Sequence, residues 1–459
     1  MKSLSCAWRI VCVLLFSGIG CCQDLSDGQI ANRVEAYLKP FVETGNLTGT
    51  VLIARKGRVL FRHSYGMANY ELRVPNSPET RFHIASISKA FTAAAILQLQ
   101  EQGRLSVADP LSRFVPDFPN GDRITLDNLL THTSGIPDIN DLSDYDTFAR
   151  SPHTIAQLVA KFANLPLEFQ PGSSYQYSNS NYNLLALVLE KVTGESYGGY
   201  LRKHILDPLG MQDSGHDGDA SQLIPLAASG YKPAGIADYE KAPYLDWSTK
   251  TGNGSLYSTV DDLYRFDRTL NTDALLKSAT RQKYFVEGSG NRYGWYIGKR
   301  IGHRVMSGKG RSPGFGAELD RFPDDDVTII LLSNSYSTVS QDPIAAGLGA
   351  IVFGQQPSPP TMHATAMPQP TLASCAGTYQ YGPEYFAPNA KFTLTAEPGY
   401  LLLELGDLRT PVVPVAENDF LERNFFGHVV MSKDAGGAVN GLTTRYGQKE
   451  FTARRLEAK

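Results

Sequence analysis

The sequence predicts a mixed α/β (α+β) fold: one antiparallel sheet built from both ends of the main part of the chain, carrying an inserted helical region. A small C-terminal all-β domain follows. Three observations predict this. A β-rich hairpin pattern, TGTVLIARKGRVLFRHSYG, lies near the start, and β-rich runs return only after a long helical middle, at GFGAELDRF and VTIILLSN. A Pro-rich stretch without apolar period, GQQPSPPTMHATAMPQPT (354–371), then separates the main part from a series of short strand patterns.

Each element has its own signal. The first residues read as a secretory segment: Lys2 and Arg9 supply positive charge, and Ile10 to Gly20 the apolar run. That run is too short to span a bilayer as a helix. Small residues at Gly20 and Cys22 place cleavage near Gln23, so 1–22 is assigned as signal peptide and the protein as secreted or periplasmic. IGCC also resembles a lipoprotein signal with Cys22 lipidated, and membrane association is expected only in that case. Four of the five cysteines lie in this segment, which leaves Cys375 without a disulfide partner once it is removed.

After it, DGQIANRVEAYLKPFVETG places Ile30, Val34, Leu38 and Phe41 at helical spacing and stops at Gly45. The hairpin turns at Lys56-Gly57. PDDD (323–326) joins the two late strands, and DPIAAGLGAIVFG closes the main part as a helix. The main domain is therefore assigned to 23–353, the linker to 354–371 and the β domain to 372–459. In the last, CAGTYQY, KFTLTAE, YLLLELG, RTPVVPV and HVVMSKD read as strands of a barrel or sandwich.

Composition narrows the function. Hydrophobic content of 42% and charged content of 19% belong to a globular protein, and a net charge of −3 gives no reason to expect nucleic acid. The nine histidines show neither H-x-H-x-D nor H-E-x-x-H, so no metal site is read.

Nucleophile chemistry remains. In HIASISKAFT (83–92), Ser86 stands three residues before Lys89 where a helix, KAFTAAAILQLQEQG, begins. At that end backbone N–H groups are free to receive negative charge, and residues at i and i+3 share a face. A lysine acts as base only when neutral, which burial and a nearby cation favour. Taken alone, the same spacing is more often an N-cap serine beside a solvated lysine. A second S-x-x-K, Ser229 to Lys232, lies in a loop with no helix after it. Gly194 to Gly198 matches G-x-S-x-G, but a helix rather than a strand precedes Ser196, so it is no nucleophile elbow. Tyr177-Ser178-Asn179, just before another helix, offers a phenol whose pKa a neighbouring lysine would lower, and an amide to hold lysine and substrate.

These stretches, with ITLDNLLTHTSGIPD, GNGSLYSTVDDL and PGFGAELDRFPDDDVTIILLSN in this order, closely resemble the serine β-lactamase/penicillin-binding protein superfamily. The resemblance covers residues 30 to 355 and is closest to the class C β-lactamase-like branch, with its D-Ala-D-Ala carboxypeptidases, D-aminopeptidases and esterases. It implies the β-lactamase–transpeptidase fold with a lipocalin-like C-terminal appendage. Ser86 is then the acylated nucleophile, Lys89 its base, Tyr177 the proton relay and Asn179 a substrate ligand. His132 becomes a buried hydrogen-bonding residue. No cofactor is implied, and the partner is a small-molecule or peptide substrate.

One motif departs from the family. Where relatives carry K-T-G or H-x-G, this chain reads MSGKGRSPGF, with Gly308 at the Lys/His position. Lys309, Gly310 and Arg311 are the candidate substrate-binding residues there, with an oxyanion N–H near Arg311. Lacking the usual cation, the site is expected to favour neutral esters over penicillins and over peptides ending in free D-Ala. The readings are a serine esterase or D-amino-acid peptidase or carboxypeptidase, a β-lactamase, or a binding protein that keeps the fold with little turnover.

Overall fold

The computed structural model describes residues 25–335, 341–406, 408–447 and 449–456. The segment read as a signal, with Cys22, lies outside them. No helix among the described residues is long and apolar enough to cross a membrane.

Helix α1 (Asp27–Glu43) starts at a capping box, in which Gln29 N–H donates to the Ser26 hydroxyl and Ser26 N–H to the Gln29 side chain. Its buried stripe is Ile30, Val34, Tyr37, Leu38 and Phe41. Strands β1 (Gly49–Arg55) and β2 (Arg58–Tyr65) meet at Lys56-Gly57, where both residues have positive φ, as a two-residue hairpin turn requires. The helical region follows, with α2 (Ser88–Glu101), α3 (Asn179–Thr193) and α4 (Val260–Thr269). Then come β3 (Tyr296–Arg300), β4 (His303–Ser312), β5 (Phe315–Phe322), β6 (Val327–Ser333) and α5 (Gln341–Val352).

The six strands form one antiparallel sheet in the order β3-β4-β5-β6-β1-β2. The pairing of β1 with β6, Gly49 to Ser333 through Arg55 to Val327, joins the two ends of the domain. Both faces are covered at β1 and β6, so these two strands are near-continuous apolar runs rather than alternating. Val51, Ile53, Ile329 and Leu331 pack with α1 and α5. Leu52, Ala54, Ile330 and Leu332 face the helical region and belong to the same core as α2 and α3.

A short helix, α6 (Gln369–Cys375), starts inside the stretch read as linker, because proline is well tolerated at a helix's first positions. From Gly377–Tyr381 to Lys449–Arg455, eight strands close into a barrel filled by Tyr379, Tyr381, Phe392, Leu401, Phe420 and their neighbours. Cys375 is buried and free.

The barrel is docked onto the main domain. Val415, Leu421 and Phe426 share a core with α1, and the Phe426 ring stacks on Phe41 at 5.7 Å. Arg423, 1% exposed, donates to the carbonyls of Gly45 (2.8 Å), Ala234 (2.6 Å) and Asp238 (3.1 Å). Even the Pro-rich stretch takes part, since Met362 is buried in the shared core and Thr365 N–H donates to Pro414 O at 2.8 Å.

Candidate active site

Two short strands, Phe82–His83 and Leu256–Ser258, pair and fix the approach to α2. The chain then turns through Ala85, whose φ of +45° is strained for a residue with a side chain. A 3₁₀ turn, Ala85–Ile87, carries Ser86 and runs into α2, where Ser88 Oγ accepts from Leu256 N–H at 3.1 Å. This holds the Ser86 hydroxyl half-exposed at the floor of a cavity of about 480 Å3. Tyr177, Asn179, Asn140, Lys250, Tyr296, Lys309, Arg311 and Ser312 are among its lining residues.

Lys89, wholly buried, has three partners: Asn179 Oδ1 at 2.8 Å, Asn253 O at 2.8 Å and Ser86 Oγ at 3.0 Å. The first two can only accept, so they fix two N–H bonds and aim the third direction at Ser86. When the amine is neutral, that direction is its lone pair. Burial pushes the Lys89 pKa well below its usual value; the Asp138 carboxylate opposes this and the Lys250 ammonium reinforces it. Both features that the sequence reading required of a lysine base are present, and the cation comes from Lys250.

The Tyr177 hydroxyl lies 2.9 Å from Ser86 Oγ. Its ring stacks on His132 at 4.4 Å, and Ser178 N–H donates to His132 Nδ1 at 3.1 Å. Burial pushes the His132 pKa down to about 3, so the ring stays neutral and serves as packing. Neighbouring residues hold this region together in the same structural way: Ser134 Oγ donates to Asn181 Oδ1 at 2.6 Å, and Ile139 N–H to Ser180 Oγ at 2.8 Å.

Two expectations need correction. The Tyr177 pKa is raised well above its usual value, not lowered, because burial outweighs the hydrogen bond from Ser86, and Tyr296 and Asp138 add to the rise. Asn179 lines the cavity, but its carbonyl is taken by Lys89 and its amide lies 2.9 Å from Asp138 Oδ2. At most one of its N–H bonds is left for a ligand, so Asn179 chiefly holds the lysine.

The third motif has a physical reason for its form. A side chain at Gly308 would run toward Ile87 and Trp295, an apolar environment in which a lysine would lose its hydration. Gly310 abuts the turn that carries Ser86: a Cβ there would overlap the Ile84 carbonyl oxygen and stand 3.2 Å from Ser86 N. Only glycine lets β4 come this close. The Lys309 ammonium lies 3.8 Å from the buried Glu318 carboxylate, which Arg300 also contacts at 3.0 Å, so its charge is already balanced. Arg311 is exposed at the cavity rim.

Sequence reasoning missed Asp138, Asn140, Lys250 and Asn253. Asp138 ends the quoted LLTHTSGIPD, but nothing in its spacing marks it as the partner of Asn179. The decoys stay outside the cavity lining: Ser196 caps a short helix by accepting from Gly199 N–H, and Lys232 pairs with Glu240 at 2.8 Å.

The Beta-lactamase family model matches residues 34–352. The chain belongs to the Beta-lactamase family. Among its relatives in this family, PbpX of Bacillus subtilis (strain 168) is 35% identical over 301 residues, which are 65% of this chain and 72% of that protein. A penicillin-binding protein of the same organism is 29% identical over 451 residues, 92% of this chain and 98% of its own length. The crystal structure of a penicillin-binding protein from Bacillus halodurans superposes with a TM-score of 0.60 at 29% identity, covering 69% of this chain and 99% of that one. An octameric penicillin-binding protein homologue from Pyrococcus abyssi shares the fold over 92% of this Beta-lactamase family chain and 99% of its own, with a TM-score of 0.63 at 23% identity.

Proposed function

We propose that the protein is an exported serine hydrolase that opens an ester or amide through an acyl-enzyme on Ser86. The observation that carries the reading is the convergence on Ser86 Oγ of Lys89 Nζ at 3.0 Å and Tyr177 Oη at 2.9 Å. As Oγ bonds to the substrate carbonyl carbon, its proton passes to the Lys89 lone pair and the carbonyl electrons move to oxygen. In this reading the N–H groups of Ser86 and Arg311 receive that charge, and the close approach of the bare Gly310 to Ser86 N supports the pairing. Collapse expels the leaving group. Tyr177, held neutral by burial, gives it a proton, and the Lys89 ammonium returns one to the phenolate, the two groups flanking the same Ser86 oxygen. Water then attacks the acyl carbon by the same route in reverse.

Within this reading the candidates are an esterase, a D-amino-acid peptidase or carboxypeptidase and a β-lactamase, and Gly308, where relatives carry Lys or His, takes their cation away from this strand. The test is a panel of p-nitrophenyl esters, D-amino-acid anilides and nitrocefin with wild type and Ser86→Ala. Turnover of an ester or anilide that disappears in the variant is expected. Turnover that survives in Ser86→Ala would remove the serine from the chemistry, and labelling without turnover would favour a binding protein.

A further inference from the structure

We propose that Lys250 is the anion-binding residue of this site and that the substrate carries a carboxylate which pairs with it. The inference rests on the acyl-enzyme reading and adds the substrate's charge to it.

Lys250 belongs to a 3₁₀ turn, Trp247–Lys250, remote in sequence from every motif of the family resemblance except the GNGSLYST tract that follows it. The residue is 7% exposed and lines the same cavity as Ser86. Its ammonium donates to Asn140 Oδ1 at 2.9 Å and lies 4.8 Å from the centroid of the Tyr145 ring. Both partners are neutral, and among the described residues no carboxylate comes within ion-pair distance of it. An ammonium buried without a counter-ion is unfavourable. Here burial pushes it down to about 8, with Asp138 opposing from farther off. A carboxylate entering the cavity supplies the missing partner.

The other cations are less suited. Lys309 is balanced by Glu318, and Arg311 is exposed to water, where a pair gains little. The third motif's missing charge is thus replaced from a different element of the fold, which reverses the preference for neutral esters expected from Gly308 alone. Lys250 also acts on Lys89, whose ammonium it disfavours. A residue that only tuned Lys89 would affect every substrate alike, and this separates the two roles.

The experiment compares kcat/KM for p-nitrophenyl pentanoate, which is neutral, and mono-p-nitrophenyl glutarate, which bears a free carboxylate. Wild type, Lys250→Met, Lys250→Gln and Lys250→Arg are assayed, and each is first shown to be labelled at Ser86 by a neutral fluorophosphonate. The Gln variant keeps a donor for Asn140 and serves if Met perturbs the fold. The ratio of charged to neutral ester should fall by about 10- to 150-fold in Met and Gln, the range of a charge-assisted hydrogen bond, and recover in Arg. A ratio unchanged in Met and Gln, with both esters slowed equally, overturns the proposal and leaves Lys250 as a tuner of Lys89. Absence of fluorophosphonate labelling in wild type would instead sink the acyl-enzyme reading beneath it.

Discussion

Lys89→Met should slow acylation by about 10² to 10⁴, the usual contribution of a general base, with the fold retained. Methionine fills similar space. It leaves Asn179 Oδ1 and Asn253 O without their lysine donor, a loss of about 1 to 3 kcal/mol for each acceptor that stays unpaired. The wild-type pH profile should show the same group. Only the neutral amine accepts the Ser86 proton, so the acylation rate rises with pH through the depressed pKa of Lys89 and then levels. Tyr177 stays protonated across this range, since its own pKa is raised, and brings no alkaline fall. In Lys89→Met the rising limb should vanish. A variant with near wild-type rates and an unchanged limb would mean that another group takes the proton.

The second large effect is expected from Gly310→Ala. Alanine is no worse than glycine in a strand on intrinsic grounds, so any loss must come from the site. The added Cβ would overlap the Ile84 carbonyl oxygen and crowd Ser86 N, forcing β4 away from the nucleophile turn. That separates the two N–H groups assigned to the oxyanion, and loss of one such donor typically lowers kcat by about 10² to 10³. Gly308→Ala is the control, because its Cβ would meet Ile87 and Trp295 at 3.6 to 3.8 Å, an ordinary contact. It should stay within a few-fold of wild type in kcat. Equal damage from both substitutions would show that the strand tolerates no side chain, and the oxyanion assignment would lose its support.

What the sequence made legible follows from how local each signal is. The hairpin at Lys56-Gly57 and the two late strands were readable because turn and strand chemistry lie within a few residues. Ser86 and Lys89 share a helix start, so their meeting depends on helical geometry alone. Tyr177 and Asn179 reach Ser86 and Lys89 from some ninety residues away, and only the family resemblance connected them. The direction of the Tyr177 shift was misjudged because a neighbouring lysine is visible in the sequence while burial is not. Lys250 and Asp138 were missed for the same reason: each sits in a turn whose place in the cavity is decided by tertiary packing. In the barrel, Asp419–Glu422 is short, and Val439–Tyr446 and Lys449–Arg455 alternate apolar with polar or charged residues, so these three strands gave weak apolar patterns.

The measurement that bears most directly on the account is intact-mass and peptide-level mass spectrometry of the protein after brief exposure to a fluorophosphonate and, separately, to a turned-over ester. One covalent adduct per chain is expected, on Ser86, stable for the phosphonate, transient for the ester and absent in Ser86→Ala. An adduct on Ser196 or Ser229, or ester turnover with no adduct on Ser86 at any time point, would contradict it.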